Sequence, residues 1–136
     1  MTITRDDNTS SDVLAIVQKY EEFRDYVYPI IQRSPRHHGV LRDAVLAELL
    51  APIGDLYHAA KTGQVTRLYV ADGRFATLRS YLRFLVQPDI RIMNRHQQVS
   101  ALRMLSEPGK MLGSWIKKRK DKTNPDAETR PVGRAG

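Results

Sequence analysis

Residues 66–87 read TRLYVADGRFATLRSYLRFLVQ and show the clearest helical pattern in the sequence. Its apolar side chains recur at alternating steps of three and four residues, which brings them onto one face of an α-helix. Pro88 follows directly and favours an end to the helix, because proline lacks the backbone N–H. The pattern predicts an amphipathic helix whose buried face consists of Leu68, Ala71, Phe75, Leu78, Leu82 and Leu85.

Three further segments show the same helical spacing, and they cover about residues 11–33, 38–61 and 94–120. Four helices of about 20 residues joined by short connections predict an all-α fold, an antiparallel up-down-up-down four-helix bundle. We place the bundle at residues 11–120. Residues 1–10 and the polar residues 121–136 lack helical spacing, and we expect a flexible N-terminus and a flexible tail there.

The ends of these helices also have recognisable signals. Ser11 has a side chain of the type preferred at a helix N-cap, and Gly63 follows the second segment as a C-terminal cap would. Asn94 and Gln97 have the spacing of a capping box at the start of the fourth segment. Prolines inside three of the segments predict a kink, a bend or an early end: Pro29, Pro52 and Pro108.

The composition excludes several classes of protein. The chain has 136 residues and no cysteine, so disulfide frameworks, thiolate zinc sites and cysteine nucleophiles are excluded. No uncharged run reaches the roughly 20 residues of a membrane span. No apolar stretch follows the charged N-terminus as it does in a signal peptide. We therefore expect a cytoplasmic protein that does not interact with a membrane.

The charge is positive and unevenly distributed. Lys and Arg number 22 against 15 Asp and Glu, a net charge of +7. Residues 1–63 contain 7 basic and 9 acidic residues, whereas residues 64–136 contain 15 basic and 6 acidic ones. Such an excess predicts an anionic partner that is bound mainly by the second half of the chain.

Basic residues recur at helical spacings of four and seven in the third and fourth segments. Rows of this kind attract phosphates, although a solvated, solubilising face is the other interpretation of each row. Without an aromatic platform or a recognition helix, we expect backbone contacts that tolerate any sequence. The candidate binding residues are Arg67, Arg74, Arg79, Arg83, Arg103, Lys110, Lys117 and Lys118.

A second set of apolar residues lies away from the predicted core stripes. Tyr69 and Phe84 point away from the stripe of the third helix, and Met104, Met111 and Trp115 form a second line on the fourth. A wide core face with scattered exposed groups is one interpretation. Because two helices show the feature independently, and Trp, Met and Tyr are enriched at interfaces, we predict a subunit interface.

Catalysis and metal binding have weak support in the sequence. It contains no nucleophile elbow, Gly-rich phosphate loop or dinucleotide fingerprint. His37 and His38 are adjacent and lack an acidic residue at ligand spacing. We predict no catalytic residues, no metal site and no cofactor. A small nuclease that uses the histidines is the enzymatic alternative.

Several short stretches between Tyr20 and Lys118 are informative in their order and spacing. They read YPIIQRSPRHHGV at 28–40, Gln64-Val65, Leu68-Tyr69, Ala71-Asp72, Leu78-Arg79, LRFL at 82–85 and LGSWI at 112–116. With these stretches the chain resembles the accessory variability determinants (Avd) of bacterial and phage diversity-generating retroelements. These proteins are related to the four-helix-bundle proteins of 23S rRNA intervening sequences.

The resemblance implies a five-subunit barrel of four-helix bundles with a basic surface. It also implies association with the retroelement reverse transcriptase, its template RNA and the cDNA, in support of error-prone cDNA synthesis and mutagenic retrohoming. No catalysis by the chain itself is implied. The basic surface of the family maps onto Arg79 and Arg83, which lie inside the matching motifs. A pentamer would offer burial to Tyr69, Phe84, Met111 and Trp115.

The related rRNA intervening-sequence proteins supply the alternative function. Such a protein would have the same fold and a structural or RNA-binding role, without a polymerase partner. A neighbouring reverse-transcriptase gene with paired template and variable repeats would separate the two hypotheses.

Overall fold

The computed structural model of the chain describes residues 4–123, with side chains at Ser11 and at residues 13–121. In this range four α-helices follow one another and no strand occurs. The helices are α1 (Thr4–Gln32), α2 (Gly39–Thr62), α3 (Val65–Phe84) and α4 (Arg95–Thr123), and a short 3₁₀ helix, Arg36–His38, precedes α2. The prediction of an all-α chain with four helices is confirmed.

The four helices form a ring in which each packs against two neighbours. α1 packs against α2, α2 against α3, α3 against α4, and α4 closes the ring against α1. Within residues 4–123, neither diagonal pair of helices comes into close backbone contact. With short connections between successive helices, this arrangement is an antiparallel four-helix bundle.

The core stripe of α3 lies where its spacing predicts. All six of the predicted residues are buried, although α3 ends at Phe84 and Leu85 directly follows it: Leu68, Ala71, Phe75, Leu78, Leu82 and Leu85. Phe75 stacks on Tyr20 of α1, with ring centroids 5.4 Å apart. The buried Tyr20 hydroxyl donates a hydrogen bond of 2.5 Å to the Leu49 carbonyl of α2, which satisfies its polar atom inside the core. Burial raises the pKa of Tyr20 above its ordinary value.

Two of the predicted helix caps are confirmed. Gly63 follows α2 in the left-handed conformation, with φ of 72°, which glycine adopts at little cost. The backbone N–H of Gln97 donates to Asn94 Oδ1 at 2.8 Å, and that of Asn94 donates to Gln97 Oε1 at 3.0 Å. This reciprocal pair is the predicted capping box of α4.

The predicted N-cap at Ser11 is wrong, because α1 already begins at Thr4. Residues 4–10, expected in a flexible N-terminus, belong to this helix and contain neither proline nor glycine. Asp6 and Asp7 supply the negative charge that is favoured near a helix N-terminus. A preferred capping residue is worth only about 1 kcal/mol, so it does not end a helix that the preceding residues can extend.

The other boundaries differ from the predicted ones by a few residues. α1, α2 and α4 continue through Pro29, Pro52 and Pro108. α4 extends to Thr123, three residues beyond the predicted end of the bundle, and residues 124–136 of the expected tail lie outside the described residues. None of the helices in the described range combines the length and the apolar character needed to cross a membrane.

Candidate nucleic-acid interface

The charge of the chain is separated across the bundle. The sequences of α1 and α2 contain five basic and nine acidic residues, whereas those of α3 and α4 contain twelve basic and three acidic ones. Because α1 and α2 are neighbours in the ring, and so are α3 and α4, these two pairs form opposite halves. The ring order therefore turns the charge difference along the sequence into one acidic and one basic side.

Three basic residues form a row along the outer side of α4. Arg103, Lys110 and Lys117 are all exposed, as their spacing of seven predicts for a solvated flank. Successive members are about 10 Å apart along the helix axis, from the rise of 1.5 Å per residue. The row thus presents charge along about half the length of α4.

Two arginines of α3 lie beside this row. Arg79 is half-buried and extends over α4, where a Cβ placed on Gly109 would lie 3.9 Å from its guanidinium Nη1. The guanidinium therefore lies close to the backbone of α4 at Gly109. Arg83 is one turn further along α3 and is exposed. We call the following five residues the basic face: Arg79, Arg83, Arg103, Lys110 and Lys117.

The basic face differs from the α1 and α2 half in how its charges are paired. Lys19, Arg24 and Arg42 on that half each have a carboxylate partner, Glu22, Asp25 and Asp43 respectively. In the part of the chain that the structure describes, no residue of the basic face has an ion-pair partner. Its charges are therefore available to an external anion.

The spacing of Arg74 predicts a residue that binds an anionic partner, but in the structure Arg74 is paired with two carboxylates of the chain itself. Its Nη1 lies 3.3 Å from Glu48 Oε2, and its Nε donates a short hydrogen bond to Asp55 Oδ2. Both carboxylates belong to α2, and the hydrogen bond to Asp55 raises the pKa of Arg74 above its ordinary value. Arg67, one heptad earlier, is half-buried. The structure thus brings Arg74 against α2 and separates it from the basic face.

The last two turns of α4 contain a contact that the sequence did not suggest. Arg119 Nη2 donates a hydrogen bond of 2.5 Å to the Gly63 carbonyl, which joins α4 to the α2–α3 connection. A Cβ on Gly63 would lie 2.7 Å from this nitrogen. Lys118 is exposed and lies on the side of α4 that faces α1.

The five residues of the predicted subunit interface fall into two groups. Tyr69 and Phe84 are 46% and 45% exposed, so they are open to a partner. Met104 and Met111 are partly buried against the core, and Trp115 is only 6% exposed within the single chain. Burial of Trp115 therefore does not require a second subunit.

Uncharged residues continue the exposed side of α3 around Tyr69 and Phe84. This side consists of Tyr69, Val70, Gly73, Ala76, Thr77, Ser80 and Phe84. The exposed Leu50 of α2 lies on another side of the bundle, in a groove that α1 lines. These residues of α3 form a surface of low charge next to the basic face.

The histidines do not form a cluster with other ligand types. The rings of His37 and His38 lie 4.2 Å apart in the 3₁₀ helix before α2, and His58 and His96 are exposed on other helices. Among the described residues, no three His, Cys, Asp or Glu side chains are placed so that they could hold a metal ion.

A comparison with protein-family models matches residues 14–119 to the family described as bAvd-like. The match covers α2 and α3 and most of α1 and α4, and it includes every residue of the basic face. A comparison with curated proteins finds no significant match.

Proposed function

The chain belongs to the bAvd-like family of accessory variability determinants, and from this we propose that it is a non-enzymatic accessory protein of a diversity-generating retroelement. In this role it binds the reverse transcriptase together with the template RNA and the cDNA. It thereby supports error-prone cDNA synthesis and mutagenic retrohoming, in the cytoplasm of a bacterium.

The observation that carries this proposal is the basic face on one side of a charge-separated bundle, since its cations have no ion-pair partner within the described residues. Regularly spaced cations on rigid helices bind a phosphate backbone without reading its sequence. Such contacts suit a protein that holds a template and its growing copy, because both must move past the same surface. Acidic groups of the polymerase offer the same chemistry to these cations.

Self-association is part of the proposal. Tyr69 and Phe84, with the uncharged surface around them on α3, supply apolar area that can be buried without burying a charge. A homopentamer built through this surface would present five copies of the basic face on one particle. Light scattering is then expected to give five times the 15.5-kDa mass of the chain.

The function is tested by reversing charge on the basic face. We expect Arg79→Glu combined with Arg83→Glu to abolish cDNA synthesis in a reaction with the reverse transcriptase and template RNA. The reason is that two phosphate-binding cations per subunit become repulsive. Helicity and particle mass should stay unchanged, because neither side chain belongs to the core.

Arg42→Glu combined with Lys61→Glu is the matched control, since it reverses the same number of charges on α2. The control should still make cDNA at the normal yield. Normal cDNA from the Arg79 and Arg83 variant would contradict the role of these residues. RNA binding without any association with the reverse transcriptase would instead favour the rRNA intervening-sequence type of function.

A further inference from the structure

A groove of about 320 Å³ runs between α1 and α4, and it shares only Lys110 with the basic face described above. Ile16 and Trp115 are buried in its floor and Met111 is partly buried there, which gives it an apolar base. Ala15 forms the wall on the α1 side. Because alanine has a short side chain, the groove stays open at this position. Its volume is at the lower end of the range for small-molecule sites, so it has room for one small group.

The wall on the α4 side is polar and positively charged. Lys110, Ser114 and Lys118 follow one another at steps of four residues, so they lie in line along the edge of the helix. All three are exposed, and neither lysine has an ion-pair partner among the described residues. The two lysines are about 12 Å apart along the helix axis. The groove therefore has an apolar floor with a cation at each end.

We infer that this groove binds one unpaired nucleotide of a single-stranded RNA or DNA. The base lies against Met111 and Trp115, and the phosphates before and after it pair with Lys110 and Lys118. The inference rests on the proposed nucleic-acid binding and adds a preference for single strands. Single-stranded nucleic acids are commonly held in this way, by apolar or aromatic surfaces for the bases beside cations for the backbone.

The shape and charge of the groove favour this occupant. A duplex keeps its base faces stacked inside, so it can reach the lysines but cannot fill the apolar floor. A helix of another protein would need a groove longer than the two turns of α4 between Lys110 and Lys118. A purely apolar occupant would leave both ammonium groups without a counter-ion.

The chain has a reporter for this site, because Trp115 is its single tryptophan. Short oligouridylate and oligothymidylate strands are titrated against the full chain, and a blunt duplex of the same length is titrated in parallel. We expect both single strands to change the Trp115 emission. The duplex should bind, as measured by its anisotropy, without changing that emission. Comparing oligouridylate with oligothymidylate shows whether RNA or DNA is preferred.

Filling the groove should remove the preference for single strands. Ala15→Phe is expected to weaken single-strand binding about tenfold, the order of one lost base contact, and to leave duplex binding unchanged. Ala44→Phe, at an exposed position of α2, is the control and should change neither affinity.

If Ala15→Phe reduces helicity, Lys118→Gln provides a second test. It should lower the slope of log affinity against log salt for the single strands by about one, because one phosphate contact is lost.

Several outcomes would overturn the inference. Unchanged single-strand affinity in both Ala15→Phe and Lys118→Gln would mean that the groove holds no base. Loss of particle mass in Ala15→Phe would identify a second copy of the chain as the occupant. Loss of reverse-transcriptase binding with normal single-strand affinity would identify a protein segment. Salt-insensitive or absent binding of all three probes to the unmodified chain would contradict the proposed function itself.

Discussion

Helix α3 has arginines on both of its flanks, and the two flanks meet different neighbours. On the α2 side, Arg74 meets Glu48 and Asp55, whose side chains are 22% and 15% exposed. On the α4 side, Arg79 extends over Gly109, and no ion pair forms with it in the described part of the chain. One flank has its charge neutralised within the fold, and the other keeps it available.

The difference shows that the neighbouring helix determines what a row of basic residues does. Arg67 and Arg74 recur at a spacing of seven, as the residues of the α4 row do, yet Arg74 joins two helices of the bundle. A guanidinium held by two carboxylates has no further need of a phosphate. Arg79, above a glycine, has no such partner among the residues that the structure describes, so an anion from outside can supply one.

The largest effect is expected from removing the arginine of the α2 side. Arg74→Ala leaves Glu48 and Asp55 partly buried without a counter-ion, and the free energy of unfolding should fall by about 2 kcal/mol. Nucleic-acid affinity should not change, because Arg74 does not belong to the basic face. Urea denaturation, followed by circular dichroism, measures the first quantity, and anisotropy of a labelled strand measures the second.

Arg67→Ala is the matched control for this prediction, one heptad away on the same flank. Arg67 has no ion-pair partner among the described residues, so the unfolding free energy should change by less than about 0.5 kcal/mol. Equal destabilisation by the two substitutions would show that the carboxylates do not distinguish Arg74. A fall in affinity for Arg74→Ala at unchanged stability would place this residue in the interface.

A second, smaller effect is expected when the α4 side is made to resemble the α2 side. Gly109→Asp places a carboxylate next to Arg79, whose Nη1 lies 3.9 Å from the position of the new Cβ. The resulting ion pair should weaken the binding of single strands and duplexes alike by about tenfold. Stability should not decrease, since most residues are favoured over glycine inside a helix.

Gly109→Ala separates the charge from the loss of glycine. It makes the same helix-stabilising change, and a contact of 3.9 Å is ordinary for a Cβ, so affinity should stay at the level of the unmodified chain. If the alanine variant lost as much affinity as the aspartate variant, the position of the Arg79 side chain, rather than its charge, would control binding.

The sequence predicted most of the fold because the fold depends on periodicity. The alternating steps of three and four in α3 define its buried face, and the spacing of Asn94 and Gln97 defines the start of α4. The predicted start of α1 at Ser11 was wrong because a capping residue expresses only a weak local preference. A helix continues past it when nothing in the preceding residues stops it.

The candidate site was predictable only in part, because spacing gives the direction of a side chain but not its neighbour. The exposed row on α4 agrees with its spacing, whereas the pairing of Arg74 depends on which helix lies beside α3. Glu48 and Asp55 are also seven residues apart, and this was the available signal for the pair. The burial of Trp115 against α1 depends on the same unknown ring order.

The smallest effect is expected when one lysine of the α4 row is replaced by an uncharged residue. This substitution tests whether the basic face binds phosphates. In Lys117→Gln, one cation that faces solvent is lost, and the slope of log affinity against log salt should fall by about one. At moderate salt the affinity itself should fall only about threefold, since the remaining basic residues keep the strand in place. Lys61→Gln is the control, because it removes an exposed lysine from α2. For this variant the slope of log affinity against log salt should equal that of the unmodified chain.

This slope is the decisive quantity. A general change in net charge would alter it equally in both variants, whereas direct phosphate contact alters it only for Lys117→Gln.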